Sequence, residues 1–212
     1  MAGCRAVHAG HCGVGEGAPM INWSHRNFAR GALRRWLQAP GSLSARLAAT
    51  GPRFSVQVLG QGRAPLTMDE ARALGHPAQR VGFLREVLLR VDGAPRVLAR
   101  SVTALADSHG AWRAVRGLGT RPLADVLFKR LGIARAQLSY AKLTPASAPQ
   151  RAAQKQWSRA TSAPLPLRAL PARRSAFRRG AENLLVMEIF VASDWQWSDA
   201  ARNAKTGHRR RT

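Results

Sequence analysis

One carboxylate, Glu188, stands in the otherwise apolar run NLLVMEIFVAS at residues 183–193. A strand here would place Glu188 on one face with Leu184 and Val186, and its other face would also be apolar, which predicts a central strand covered on both sides. A lone buried carboxylate is costly as an anion because it loses its hydration. We therefore expect Glu188 to be protonated, to pair with a cation or to line a polar cavity.

The matching cation is Arg85, which lies in the apolar run FLREVLLRV and shares a strand face with Val87 and Leu89. Three interpretations stay open. Arg85 and Glu188 can form a closed pocket that grips an anion and a hydroxyl group, they can form a structural salt bridge, or their side chains can extend to solvent. Neighbouring Glu86 falls on the other face and is expected to make a cross-strand surface pair.

The strands that must position these side chains can be traced along the sequence. Two β-rich runs flank Asp92-Gly93, a dipeptide typical of tight turns, and predict a long hairpin over 81–103. Further strands are predicted in RFSVQVLG, ARAQLSYAKL, ARRSAFRRG and NLLVMEIFVAS, the last two joined by a turn around Gly180. This pattern indicates an α+β fold in a single domain, with an antiparallel sheet flanked by helices.

The predicted helices lie early in the chain and between the strands. They are 24–38, LSARLAAT (43–50), TMDEARALG (67–75) with a capping-box pattern, 106–117 and 121–131. Ser24 and Ser42 are candidate N-caps of the first two. Leu43 and Leu123 each fall in a first turn, where a backbone N–H has no partner within the helix.

Three segments lack such a pattern. Residues 144–170 are rich in Pro, Ala, Ser and Gln and predict a mobile insertion within a domain spanning 21–193. Residues 1–20 predict a disordered leader, and 194–212 predict a basic tail that frays. Both cysteines lie in the leader in a C-x3-H-x2-H-C pattern that matches no common zinc module, so we expect no metal site.

Charge is the strongest compositional feature, with 34 Lys and Arg against 11 Asp and Glu and a net charge of +23. Such a balance favours anionic partners such as nucleic acid, acidic membranes or a small polyanion. The basic residues are scattered and only GHRRRT is a dense run, so nucleic-acid binding is not expected to be the main function. No apolar run is long enough to span a bilayer and no secretory signal is evident, which predicts a cytoplasmic protein without membrane insertion.

Four segments in order, FLREVLLRVDGAPRVLARSV, GTRPLADVLF, ARRSAF and LLVMEIFVAS, resemble the chorismate–pyruvate lyases of ubiquinone biosynthesis. The likeness runs from about Trp36 to Ser193 and is interrupted at 144–170. It implies a monomer with a sheet of about six strands and a ligand cavity closed by flap segments. It also implies conversion of chorismate to 4-hydroxybenzoate and pyruvate without a metal or organic cofactor, followed by slow product release.

The same resemblance assigns roles to four residues. Arg85 stands where the family pairs an Arg with the ring carboxylate, and Glu188 stands where a Glu contacts the ring hydroxyl. Leu123 matches a leucine of the ligand site. Leu43 matches a ligand-contacting position that the family fills with Met, so its backbone amide is the part expected to bind.

Chorismate carries two carboxylates, so the chemistry asks for a second cation. Arg100, in the partner strand of the predicted hairpin, is the candidate for binding the enolpyruvyl carboxylate, although a surface role for it stays open.

Two other functions remain open from the sequence. One is a non-catalytic domain that senses a small aromatic acid, since the family's fold resembles effector-binding domains of transcription regulators. No convincing helix-turn-helix accompanies it here. The other is a basic nucleic-acid-binding protein that uses the tail and the 144–170 segment.

Overall fold

A computed structural model of the chain describes residues 21–76, 81–128, 131–161, 164–165, 167–193 and 197. Within these residues, seven strands form a single antiparallel sheet in the order β1-β2-β3-β7-β6-β4, with β5 also paired to β6. The strands are β1 (Phe54–Pro65), β2 (Val81–Val91), β3 (Ala94–Ala104), β4 (Ile133–Arg135), β5 (Ser139–Leu143), β6 (Leu170–Arg179) and β7 (Glu182–Phe190). The predicted α+β class is confirmed, with one strand more than expected.

The hairpin predicted over 81–103 is confirmed as β2 and β3. Asp92 and Gly93 have φ angles of 51° and 79°, the left-handed conformation that this two-residue turn requires. The predicted turn at Gly180 likewise joins β6 to β7. Strand β7 also pairs with β3, which places it inside the sheet between β3 and β6.

A bulge in β3 changes which face its side chains occupy. Leu89 pairs with Val97, whereas Arg90 pairs with Pro95, so β3 holds one extra residue at this point. A shift of one residue moves a side chain to the opposite face of the sheet. Beyond the bulge, Arg85 therefore pairs with Ser101.

Helices cover both faces of the sheet. They are α1 (Gly31–Leu37), α2 (Leu43–Ala48), α3 (Met68–Ala73), α4 (Arg113–Arg116), α5 (Ala124–Leu127) and α6 (Ala148–Ala160). We call the face that carries Arg85 and Glu188 the front face, and the face that carries Glu86 and Arg100 the back face. Residues of α1, α2, α4 and α5 pack on the front face, and residues of α3 and α6 pack on the back face.

The core is therefore divided by the sheet into two layers. On the front face Trp36 of α1 and Leu47 of α2 pack against Val87 and Phe190. On the back face Trp157 of α6 packs with a set of buried apolar residues from the strands: Leu88, Leu98, Leu143, Leu170 and Ile189. Burial of this apolar area on both sides explains why β7 is apolar on both faces.

The first predicted helix is only half correct. Helix α1 begins at Gly31, and Ser24 is not its cap. Ser24 instead forms a β-bridge with Tyr140, in which each backbone N–H donates to the other residue's carbonyl. This bridge holds the chain extended where the apolar spacing favoured a helix.

The helices predicted over 106–117 and 121–131 are shorter than expected, since α4 and α5 each span one turn. The irregular loop predicted over 144–170 is wrong over Ala148–Ala160, which form α6. Gln150, Ala153 and Trp157 lie at helical spacing and are its buried residues. The helical spacing of only three buried residues was not recognised in the sequence, because Pro and Ser residues lie at both ends of the segment.

The predicted leader over 1–20 and most of the tail over 194–212 lie outside the described residues. Trp197 is described, and its side chain is 1% exposed against Trp36 and Phe190. The buried core thus reaches beyond 193, the predicted end of the domain. Among the described helices, none has both the length and the hydropathy that a membrane span requires.

Candidate active site

A cavity lies between the front face of the sheet and helices α2 and α5. Its space amounts to about 620 Å³, part of which is open to solvent. Strands β2, β3 and β7 form its floor. Among the described residues that line it, the charged ones are Arg85, Arg135 and Glu188, two cations and one carboxylate.

Arg85 is 2% exposed and is held by the turn before α5. Its Nη2 donates to the carbonyls of Gly119 at 2.9 Å and Arg121 at 3.0 Å. Its Nε is buried and has no hydrogen-bond partner among the described residues. Burial lowers the pKa of Arg85, because a guanidinium loses hydration there. A bound anion would offset that cost.

Glu188 does not form the salt bridge with Arg85 that stood as one interpretation. Its Oε2 instead accepts from Nε of Arg173 at 2.5 Å, and its side chain is 15% exposed. Glu188 thus has its cation on one side and the cavity on the other, which matches the interpretation in which it lines a polar cavity.

Arg173 is a site residue that the sequence analysis missed. Its Nη1 donates to the carbonyls of Trp36, Leu37 and Ala39 at the end of α1, at 3.0 to 3.3 Å. The side chain is fully buried, so it fixes Glu188 relative to α1. A signal for it existed: a turn at Gly180 with unbroken register places Arg173 opposite Glu188, and the two do pair.

Arg135, in β4, is the second missed residue. Its Nε donates to Oγ of Ser175 at 3.2 Å and its Nη1 to the carbonyl of Gly41 at 3.3 Å. Its guanidinium lies 5.2 Å from the ring centroid of Phe177. Burial and the nearby charge of Arg173 lower the pKa of Arg135, against the opposing effect of Glu188.

Comparisons with known proteins decide the family. The chorismate lyase family model matches residues 23–201. A probable chorismate pyruvate-lyase of Albidiferax ferrireducens is 59% identical over 177 residues, which cover 82% of this chain and 90% of that protein. A second, from an Azoarcus species, is 44% identical over 160 residues, or 75% of this chain and 83% of that protein. The chain belongs to the chorismate lyase family.

The C-terminal domain of the histidine utilization repressor of Pseudomonas syringae aligns with a TM-score of 0.47 at 10% identity, covering 66% of this chain and 92% of that one. This similarity is too low to bear on function.

Two further positions taken from the chorismate lyase resemblance, Leu43 and Leu123, both line the cavity. Leu43 is the first residue of α2, and the predicted cap is confirmed because Oγ of Ser42 accepts from the amide of Ala45 at 3.0 Å. Leu123 is the N-cap of α5 rather than a residue of its first turn, because the helix begins at Ala124 and not at 121 as predicted. Their contacts with a substrate stay predictions.

Arg100 requires a correction, because the structure does not bring it to this cavity. It lies on the back face, where Nε donates to Glu70 at 2.6 Å and Nη1 donates to Glu86 at 2.9 Å. In a hairpin with unbroken register Arg100 would stand opposite Arg85, but the bulge in β3 pairs Arg100 with Glu86 instead. Glu86 is likewise 7% exposed rather than a member of a surface pair.

Proposed function

We propose that this chain is a chorismate lyase, which converts chorismate to 4-hydroxybenzoate and pyruvate as the first step of ubiquinone biosynthesis. The observation that carries the proposal is the presence of Arg85 and Glu188 in one cavity of a chain that belongs to the family. One residue is a buried cation suited to a carboxylate, and the other is an acceptor suited to a hydroxyl group.

The reaction is an elimination across two neighbouring ring carbons. One carbon loses a proton, and the electron pair of its C–H bond becomes a ring double bond. The other carbon loses the enolpyruvyl oxygen, which leaves with the C–O electron pair. A proton added to the methylene carbon of the enolpyruvate gives pyruvate, so atoms and charge balance. The ring becomes aromatic, which drives the reaction forward.

In this proposal Arg85 binds the ring carboxylate. The carbonyls of Gly119 and Arg121 hold Nη2 in place, and Nε is buried without a partner among the described residues. Because Nη2 already donates its two hydrogens to these carbonyls, the carboxylate accepts from Nη1 or Nε in this proposal. The ring is thereby fixed at one end before any bond breaks, which lowers the entropic part of the barrier.

Glu188 accepts a hydrogen bond from the ring hydroxyl in this proposal. Arg173 fixes one carboxylate oxygen, and this contact sets the position of the group at the cavity wall. The hydroxyl marks the carbon that loses its hydrogen, so the contact orients the reacting C–H bond. Leu43 and Leu123 complete the apolar wall around the ring.

In this proposal the protein is a monomer, it lies in the cytoplasm, and nucleic-acid binding is not its main function. The monomer rests on the resemblance to the chorismate lyase family, and the compartment rests on the solubility of chorismate in water. Light scattering of the purified protein on a gel-filtration column checks the mass, and cell fractionation checks the compartment. A stable dimer or a membrane-bound fraction would contradict this part.

The test of the activity is direct. Purified protein is incubated with chorismate, and 4-hydroxybenzoate and pyruvate are quantified separately. We expect the two products in equal amounts and none with heat-denatured protein. Chorismate binding without either product would contradict the proposal and favour the sensing domain.

A further inference from the structure

A row of paired residues on the front face of the sheet begins at one cation, Arg85, and ends at Ser175, which contacts a second cation, Arg135. Arg85 of β2 pairs with Ser101 of β3, Ser101 pairs with Val186 of β7, and Val186 pairs with Ser175 of β6. The hydroxyl of Ser175 accepts from Nε of Arg135 on β4. The paired row thus crosses four strands, and the hydrogen bond extends it to β4, where Arg135 itself pairs with Phe177. The side chains between the two guanidinium groups are small or short.

The spacing of this row suits a ligand with two anionic ends. Strands β2 and β4 are four positions apart in the sheet, or roughly 19 Å at about 4.8 Å per step. The two guanidinium groups are closer to each other than the two strands are, because the long side chains of Arg85 and Arg135 both extend to the cavity. Glu188 lies in the neighbouring row, where it pairs with Ala99 and Arg173.

Arg135 is built as a fixed group rather than as a solvent-exposed side chain. Ser175 and the carbonyl of Gly41 hold two of its nitrogens, and Phe177 supports the guanidinium plane. Gly41 precedes α2, so this contact ties Arg135 to the same segment that brings Leu43 to the cavity.

We propose that Arg135 binds the enolpyruvyl carboxylate of chorismate and stabilises the departing enolate. The inference rests on the proposed function and assigns the second cation that the substrate requires. Arg135 then holds one end of the substrate while Arg85 holds the other. As the C–O bond breaks, its electron pair remains on the enolpyruvyl oxygen, and a guanidinium already at the adjoining carboxylate neutralises that charge.

Two other buried cations, Arg173 and Arg100, are not among the described residues that line the cavity. Arg173 donates to Glu188 and to three carbonyls of the α1 terminus, and its Nη2 is buried without a partner in the described part of the chain. Arg100 is held by Glu70 and Glu86 on the back face. Of the cations that line the cavity, Arg135 is the one besides Arg85 in the described part of the chain.

The assignment predicts a split between the two ligands of the enzyme. Chorismate has both carboxylates, whereas 4-hydroxybenzoate has only the one assigned to Arg85. In Arg135→Gln we expect kcat/KM for chorismate to fall about 100-fold, with a raised KM and a lowered kcat, because an interaction with the charge of the leaving group is lost. Its dissociation constant for 4-hydroxybenzoate should stay within about threefold of that of the unaltered protein.

Two variants keep this test decisive. Arg135→Lys retains the charge without the planar fork, so we expect a loss of about 10-fold in kcat/KM with product affinity kept. Arg178→Gln alters an exposed arginine of β6 near β4 and should leave both measurements unchanged. If Arg135→Gln is unfolded by its circular dichroism spectrum, the Lys variant decides.

Unchanged kcat/KM in a folded Arg135 variant would overturn the assignment while the proposed function stands. An equal loss of product affinity would also overturn it, since Arg135 would then serve the ring or the fold. Absence of turnover in the unaltered protein would refute the proposed function itself, and the assignment would fall with it.

Discussion

The two faces of the sheet carry two charge clusters that are satisfied in different ways. On the back face Arg100 meets two carboxylates, and although burial alone lowers its pKa, Glu70 and Glu86 outweigh burial and raise it. On the front face Arg85 donates to two carbonyls and to no carboxylate among the described residues, and burial lowers its pKa. The back-face cluster is complete within the protein, whereas the front-face cluster has cationic capacity left for an anion.

This difference separates buried charges that stabilise the fold from buried charges that bind a ligand. Removing one partner of a completed buried cluster leaves uncompensated charge, so the cost appears in stability. A cation that is stabilised only by a ligand shows its cost in binding. The following changes are therefore expected to separate stability from activity.

The largest effect is expected from Arg100→Met. Glu70 and Glu86 would remain buried without their cation, which should lower the free energy of unfolding by about 3–5 kcal/mol. Urea denaturation measures this loss. Activity per folded molecule should be unchanged, because Arg100 lies outside the cavity. A selective loss of turnover in a stable protein would break the distinction between the two faces.

A smaller effect, of the opposite kind, is expected from Glu188→Gln. Turnover of chorismate should fall about 100-fold because the amide is a weaker acceptor for the ring hydroxyl and for Arg173. The fold should persist, as circular dichroism and the melting temperature would show. The matched control is Glu86→Gln, which makes the same change in a carboxylate of the back-face cluster, where the loss should appear in stability and not in turnover per folded molecule. A large loss of stability in Glu188→Gln with full specific activity would instead indicate a purely structural ion pair.

The smallest effect is expected from Gly93→Ala, which lies at the hairpin turn away from both clusters. At a φ of 79° an added Cβ should cost about 1 kcal/mol in stability. The melting temperature measures this loss, and kcat/KM should not change. This variant sets the scale of a stability loss that has no functional consequence. A matching decline in kcat/KM would mean that activity follows stability alone.

Much of the sheet could be predicted from local sequence signals. Alternating apolar residues marked the strands, and Asp92-Gly93 and Gly180 marked the turns that join them. These signals are local and need no tertiary information. The same signals placed Glu188 in a central strand, and from that position its need for a partner followed.

The part of the site that escaped prediction depends on register and on contacts between distant segments. Arg100 was misplaced because a bulge is set by the twist and packing of the sheet rather than by the turn. Arg135 escaped because its strand is only three residues long and its partners come from β6 and from the segment before α2. Helix α6 escaped because its buried face consists of few residues between Pro- and Ser-rich ends.

The most direct test of the central claim, that the front-face cavity binds an aromatic acid through Arg85, is the affinity of Arg85→Gln for 4-hydroxybenzoate. Isothermal titration calorimetry measures it beside Arg178→Gln as a control. We predict a loss of about 2–3 kcal/mol, or roughly 30- to 150-fold, because a charge-assisted hydrogen bond to the carboxylate is removed. A folded Arg85→Gln that binds 4-hydroxybenzoate as tightly as the unaltered protein would contradict the account.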